Sequence, residues 1–345
     1  MEDCKVPSGG LTIRARLHYA LAVALTWVVP TAVSSTAVGL RLAESAPPHQ
    51  PTALGQALAT TYAPILRLDS NEQLEPVDRS YYVASADLKG LFARKHGRDT
   101  RKLLSQSVTL AVLPTEPLPC PQALPPFDEC NYYLHVRGLH VWNGVRAFRH
   151  VQAKILQRRN IPVVYWYYYD HESILRYWFF YVFNYFLNWH EGDWEQITIR
   201  LDPTTHRPEQ IGYSSHGKGQ SKAWAMLIRG KQLIKDNPIV YVARKSHANY
   251  FRTGLHPVPE CKYTCNDRSD GAGLQLKPGT YSLDELRAPS YSGDYGSGNF
   301  LAGGVKRLGT GINVPDPLSS TREDPRAWLN ATVPADDGSG QTFRP

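Results

Sequence analysis

The run Gln196-Ile197-Thr198-Ile199-Arg200-Leu201 alternates polar and apolar residues, and the six residues ahead of it are His190-Glu191-Gly192-Asp193-Trp194-Glu195. Alternation at period two marks a strand with one buried face. On that strand Asp193 and Glu195 fall on the same side as Ile197, Ile199 and Leu201. An unpaired buried charge costs several kcal/mol or shifts its pKa. Carboxylates that point where the core points therefore need a counter-charge. A bound cation supplies one, with His190 closing the site from the preceding turn.

With 345 residues the chain can bury a full core, as one large β domain or two smaller ones. Its 20 Tyr and 8 Trp stand out. Many of these aromatics fall between Val163 and Trp189, where aromatic and β-branched residues favour two adjacent core strands joined through Asp170-His171-Glu172-Ser173.

The amino terminus reads as a separate segment. Arg14 and Arg16 precede Leu17–Leu40, 24 residues without Asp, Glu, Lys or Arg, and Arg41 follows. A basic flank, an apolar run and the small residues Ser35-Thr36-Ala37 describe a secretory signal peptide ending near Ala37. The run is also long enough to remain as a membrane anchor. Residues 38–54 then form a linker and 55–345 one domain, secreted or otherwise outside the cytoplasm. Cys120, Cys130, Cys261 and Cys265 allow three pairings. Local pairs, Cys120 with Cys130 and Cys261 with Cys265, are the simplest, with a structural zinc as the competing reading.

Net charge is +7. Basic residues cluster at Arg94-Lys95-His96, Arg98, Arg101-Lys102 and Arg158-Arg159, which suits a solvated face or attraction to an anionic membrane surface or polymer. No recognition helix, finger or stacking motif accompanies them, which argues against nucleic acid.

Strands are expected at Thr61–Asp69, Ser107–Leu113, Asn131–Val136, Val163–Tyr169, Leu175–Asn184, Trp194–Leu201, Gln210–His216 and Ile239–Arg244, with a helix over Ser85–Leu104. Many short strands separated by turn chemistry favour an all-β fold, an antiparallel β-sandwich with long loops and a few short helices.

Polar residues gather at strand ends: His216 closes Tyr213-Ser214-Ser215-His216-Gly217, and His247 lies in Lys245-Ser246-His247-Ala248-Asn249-Tyr250. Asp267 and Asp270 add carboxylates in a glycine-rich stretch, which reads first as an ordinary Asx turn. One imidazole with several carboxylates and the amide of Asn184 is a hard, oxygen-rich set, suited to Mg or Ca, or to Mn. Zn is the alternative and would need His216 or His247. His190-Glu191 lacks the second histidine of a zincin helix, there is no Gly-x-Ser-x-Gly elbow, and Gly217–Ser221 reads as a hairpin turn.

The motifs HEGDWE, RYWFFYVFN, YSSHGKGQ, KSHANYF and DRSDGAG together resemble the family named after vacuolar protein sorting-associated protein 62. Tyr62-Ala63-Pro64 with Glu72–Pro76 is similar to the opening segment of that family, and Pro315–Trp328 to its closing one. A more distant similarity joins His190, Asp193 and Glu195 to the HxxDxE pattern of necrosis- and ethylene-inducing peptide 1-like proteins. That resemblance implies a divalent cation at one end of a lectin-like β-sandwich that binds sphingolipid sugar heads. It also puts Asn184 near a metal-binding aspartate, and aligns Ser214–Gly217 and His247 with later motifs. Glu191-Gly192 and the uncharged Asn184 depart from the pattern, which points to a weaker or different cation.

Three functions fit these residues. The first is an exported module that binds a glycan or lipid head group through its cation. The second is a metal-dependent hydrolase with Glu191, His216 or His247 as general base. The third is an envelope protein in which the cation ties strand ends together.

Overall fold

The computed structural model describes residues 52–93, 100–122, 129–187, 189–216, 218–258, 265–286, 291–292 and 294–296. The leader, most of the linker, Arg94–Arg98, Gly217, Cys261 and the closing segment Pro315–Trp328 lie outside the described residues. In chain order the elements begin α1 (Ala53–Thr61), β1 (Ile65–Leu68), α2 (Arg79–Ala84), β2 (Ala86–Ala93), β3 (Thr100–Ser105), β4 (Glu129–Val136) and α3 (Gly144–Arg159). The central strands are β5 (Val163–Tyr169), β6 (Ile174–Asn184), β7 (His190–Leu201), β8 (Pro208–Ser215) and β9 (Lys218–Ala223). There follow α4 (Trp224–Arg229), β10 (Leu233–Ile234), β11 (Asn237–Val242), β12 (Asn249–Tyr250), β13 (Gly254–Pro257), β14 (Asn266–Ser269), β15 (Gln275–Leu276) and β16 (Ser282–Glu285).

The architecture is an all-β sandwich. A six-stranded sheet, in the order β16-β5-β6-β7-β8-β9, packs against a second sheet built on β10-β11-β1-β15 with β12 beside β11. Tyr213 ties the two together: its hydroxyl donates to the Ile239 carbonyl (2.9 Å), and its ring stacks on Phe251. A three-stranded sheet, β3-β2-β4, and a hairpin, β13-β14, complete the strands. Pairing is mostly antiparallel, but β1 with β11 and β5 with β16 are parallel. Those partners are far apart in sequence, and only such long connections allow parallel neighbours.

β6 is buried at all eleven positions. That explains why aromatics occupy both of its alternating faces: Phe180 meets Tyr82 on one side, and Tyr181 meets His247 on the other. The whole strand is core, and its two ends are where polar chemistry can reach water.

Several expected elements differ. In place of the helix expected over 85–104, the described residues there form the strands β2 and β3. Leu88, Leu91 and Phe92 have helical spacing, but β2 is covered on both faces: Leu88 joins the main core while Leu91 packs on Tyr133. Residues 107–113 hold a 3-10 turn at Leu110–Val112 in place of a strand. The helix α3, with 16 residues, is longer than the short helices expected. β7 starts at His190, so that residue sits in the strand and not in a turn before it. Cys120 and Cys130 form the expected local disulfide.

Candidate functional site

Five segments meet where β6 ends and β7 begins: Asn184, His190–Glu195, Ser214–His216, the turn Lys245–Asn249, and Glu72 from the turn after β1. Within β7, Trp194 lies against Phe180 and Tyr295, while Asp193 reaches His247 and Glu195 reaches Ser214. Period-two alternation thus separates an aromatic side from an acidic one. Lys245, His247 and His216 all adopt left-handed backbone conformations (φ 73°, 58° and 52°). Non-glycine residues rarely do so, and such positions concentrate at functional turns.

Asp193 Oδ2 accepts hydrogen bonds from His247 Nδ1 (2.7 Å) and Asn184 Nδ2 (3.1 Å). His247 Nε2 lies 3.6 Å from Glu72 Oε1, and the ring stacks flat on Tyr181 with centroids 3.9 Å apart. Burial opposes a charge on His247, but Glu72 and Asp193 outweigh it and hold the imidazole pKa up at about 9. Burial also works against charge on Glu72. It is outweighed by His247 and by the backbone N–H groups of Lys245 and Leu74, so the Glu72 pKa falls below its ordinary value. For Glu195, burial and then the charge of Asp193 push the carboxyl up to about 8. Its one strong donor is the Ser214 hydroxyl.

His190 stands differently. Its Nδ1 is 2.7 Å from the Gly192 carbonyl, and Nε2 is 3.9 Å from Asp193 Oδ1. Burial lowers its pKa, which favours the neutral ring. A neutral ring that donates Nδ1–H to a carbonyl turns a lone pair at Nε2 toward Asp193, an arrangement typical of metal-ligating histidine.

The remaining expected residues divide. Asn184 donates through its amide nitrogen to Asp193 and to the Ser246 carbonyl, and its oxygen accepts from Phe186 N–H, so it orients Asp193 without offering an oxygen to the cluster. Glu191 turns the other way: fully buried, it accepts from Val136 N–H (2.9 Å) and pairs with His135. The cause is Gly192, at φ 65°, which flips the strand between Glu191 and Asp193. Asp267 is saturated by the Ser246 and Tyr250 hydroxyls and His216 Nε2, at 2.6–2.7 Å. Asp270 caps Ser70 and Ala272 as an Asx turn, away from the cluster. Cys265 is disulfide-bonded.

Sequence reasoning missed Glu72, Asn249, Tyr181 and Trp142. Asn249 Nδ2 reaches the Ser214 hydroxyl at 3.2 Å, while its Oδ1 and the Tyr181 hydroxyl are buried without hydrogen-bond partners among the described residues. Trp142, half exposed, packs on Trp189 (centroids 6.0 Å), the residue before His190. Phe186 tilts against His216 at 5.5 Å. Aromatic rings therefore adjoin His216 and the residue before His190.

Among the described residues, no three His, Cys, Asp or Glu side chains form a ready-made metal centre. The donor chemistry nonetheless suits a hard cation: a neutral imidazole nitrogen facing a carboxylate, a second carboxyl that burial and the Asp193 charge hold above its ordinary pKa, and a buried amide oxygen without a donor among the described residues.

No family model matches the chain, and no curated protein does. Solved structures similar to it include necrosis and ethylene inducing protein 2 from the causal agent of cocoa's witches' broom disease. That protein is 11% identical, over 70% of this chain and 76% of that one, with a TM-score of 0.31. Others are NLPPya in complex with mannosamine (12% identical, 70% and 77% covered, TM-score 0.28) and a protein described as a toxin fold for microbial attack and plant defense (12%, 70% and 77%, TM-score 0.30).

Proposed function

We propose that this protein is an exported carbohydrate-binding module whose site lies at the Asn184–His190 end of the sandwich. The observation that carries the reading is the half-exposed Trp142, packed on Trp189, the residue before His190. Carbohydrates are held by flat aromatic faces against their C–H surfaces and by carboxylates and amides on their hydroxyls, and both kinds of group adjoin here. His190, Asp193 and Glu195 would hold a divalent cation, Mg or Ca by the hardness of the oxygen donors. Such a cation supplies Lewis acidity toward hydroxyl oxygens. The side chains do the rest: Asn184 and His247 hold Asp193 in place, and the indole of Trp142 excludes water from one face of the ligand.

The test is retention of the purified full-length protein on arrays of free glycans and of vesicles bearing glycolipids, in Ca, Mg or chelator. Binding that falls about tenfold or more in chelator, in Asp193→Asn and in Trp142→Ala supports the reading, since that loss corresponds to one good contact of ~1.4 kcal/mol. The two array types separate a free glycan from a lipid head group. Retention indifferent to Trp142→Ala refutes it. A second reading has its own observation: the bonds to Asp193 join β6, β7 and the turn after β11. If the cluster only fastens those ends, Asp193→Asn lowers Tm and no array retains any variant.

A further inference from the structure

Along its 16 residues α3 carries Arg146, Arg149, Lys154, Arg158 and Arg159, and neither aspartate nor glutamate. Phe148, Gln152 and Ile155 mark its buried side. Spacings of three and four residues keep positions on one face of a helix. Arg146, Arg149, His150, Lys154 and Arg158 line the side opposite the buried one, and all of them are exposed. From Arg146 to Arg158 the stripe runs roughly 18 Å, at ~1.5 Å per residue.

Solvation alone does not call for such a pattern. Opposite charges four residues apart stabilise a helix, and like charges at that spacing destabilise it. Arg146, His150, Lys154 and Arg158 follow one another at that spacing with no carboxylate among them. Arg146 also falls in the first turn, where the helix dipole disfavours a cation, and Asn143 adds no side-chain cap. Arg159 is neutralised by Asp78 and Asp284. The stripe is not. Arg149 reaches only the amide oxygen of Gln73 (3.4 Å), and Arg158 lies over the Tyr81 ring. Among the described residues, Arg146 and Lys154 have neither a hydrogen bond nor an ion pair.

The stripe is continuous with the proposed sugar site. Trp142 stands in the 3-10 turn Val141–Asn143 that leads into α3, four residues before Arg146. Trp142 packs on Trp189, Trp189 on Phe183 and Phe183 on Phe148, and this run of rings fixes both to the same end of β6. Charge complementarity then asks for a ligand whose negative charges repeat along a line. The planar guanidinium suits it, because its two parallel N–H bonds match a carboxylate or a tetrahedral oxyanion. Ala153 and Gln157 complete the exposed face of the stripe, so it offers no large apolar side chain to enter a bilayer and no ring to stack on a base.

We infer that α3 selects acidic polysaccharides, chains bearing carboxylate or sulfate groups, for the site at Trp142. The inference rests on the carbohydrate-binding reading and names the ligand class of that site. The test is calorimetric titration of the full-length protein with hyaluronate, which carries carboxylates alone, with chondroitin sulfate, which adds sulfates, and with neutral dextran. Saturable binding of an acidic chain is expected, with dextran about tenfold weaker or more. The triple variant Arg146→Gln, Arg149→Gln, Lys154→Gln should weaken it about tenfold, and Trp142→Ala by a similar factor. A control with the same loss of charge elsewhere, Lys231→Gln, Lys235→Gln, Lys277→Gln, should leave it unchanged. All six positions are exposed, so both triple variants keep the fold. No preference over dextran overturns the inference, as does an equal loss in the two triple variants, which a net charge of +7 alone would cause. Loss in Trp142→Ala without loss in the stripe variant means a carbohydrate site indifferent to charge. Loss in the stripe variant without loss in Trp142→Ala means that Trp142 holds no sugar, which removes the underlying reading. Either pattern overturns the inference. Tighter binding of single-stranded DNA or of phosphatidylserine vesicles through the same three residues would assign the stripe to another ligand and overturn it as well.

Discussion

Gly192 has φ 65°, and a Cβ there would stand 2.5 Å from the Tyr295 carbonyl oxygen. That carbonyl already accepts the Tyr82 hydroxyl at 2.6 Å, so the chain at Tyr295 cannot retreat without breaking a buried bond. Gly192→Ala should cost more than about 2 kcal/mol, combining backbone strain with overpacking. Urea unfolding measures it, and an unchanged midpoint would contradict the assignment. Gly192 also divides the acidic run, sending Glu191 to His135 and Asp193 to His247. His247 carries a second expectation. Its folded pKa of about 9 exceeds the ordinary value of 6.5, and that of Glu195, about 8, exceeds 4.5. The folded state then binds more protons than the unfolded one, so stability falls as pH rises. The His247 contribution is fully present below pH 6.5 and lost through about pH 9, and that of Glu195 is present below pH 4.5 and lost through about pH 8. In chelator, Tm should fall between about pH 7 and 9, above the range in which the neutral His190 opposes the trend, and His247→Gln should flatten that decline. A Tm that rises over the range would mean His247 is neutral in the fold.

At the scale of elements, α3 shows how packing can hide from sequence. Phe148 and Ile155 are buried on one stripe, but Gln152 sits between them, accepting from Glu75 N–H at 2.9 Å. A polar residue in the middle of the stripe removes the apolar periodicity by which an amphipathic helix is read. Phe148 nevertheless stacks on Phe183 with centroids 4.1 Å apart. Phe148→Ala should cost about 3–5 kcal/mol and raise amide exchange across Gly144–Arg159 above that of β6. Uniform exchange would mean the helix is held by other contacts. β5 and β6 were legible because their aromatic and β-branched residues have no competing pattern. β2 was not, because burial on both faces imitates helical spacing. The same distinction runs through the candidate site. Asp193 and Glu195 could be placed from alternation along one strand. Glu72 comes from a turn and Asn249 from β12, both distant in sequence, and only tertiary packing sets them beside His247 and Ser214. Asn184 was legible as a neighbour but not as a donor, since its orientation depends on Phe186 N–H.

For the molecule as a whole, the question is whether the two ends of the central sheet feel each other. Coupling from one end to the other needs an element with two arrangements that both sites bias. β6 connects the ends, and all of it is buried between β5, β7 and layers on both faces. Close-packed interiors resist gradual deformation, and a one-residue slip of β6 would turn every aromatic to the wrong face. The strand therefore has one arrangement, and the ends should act independently. Asp193→Asn and Asp170→Asn, alone and together, form a double-mutant cycle. Unfolding free energies from urea titration should add to within about 0.5 kcal/mol, the usual tolerance for separated sites. Glycan retention should follow Asp193 alone. An interaction energy above about 1 kcal/mol would instead show that β6 transmits strain. The sandwich would then pass strain from one end of β6 to the other, and not act as a rigid plank.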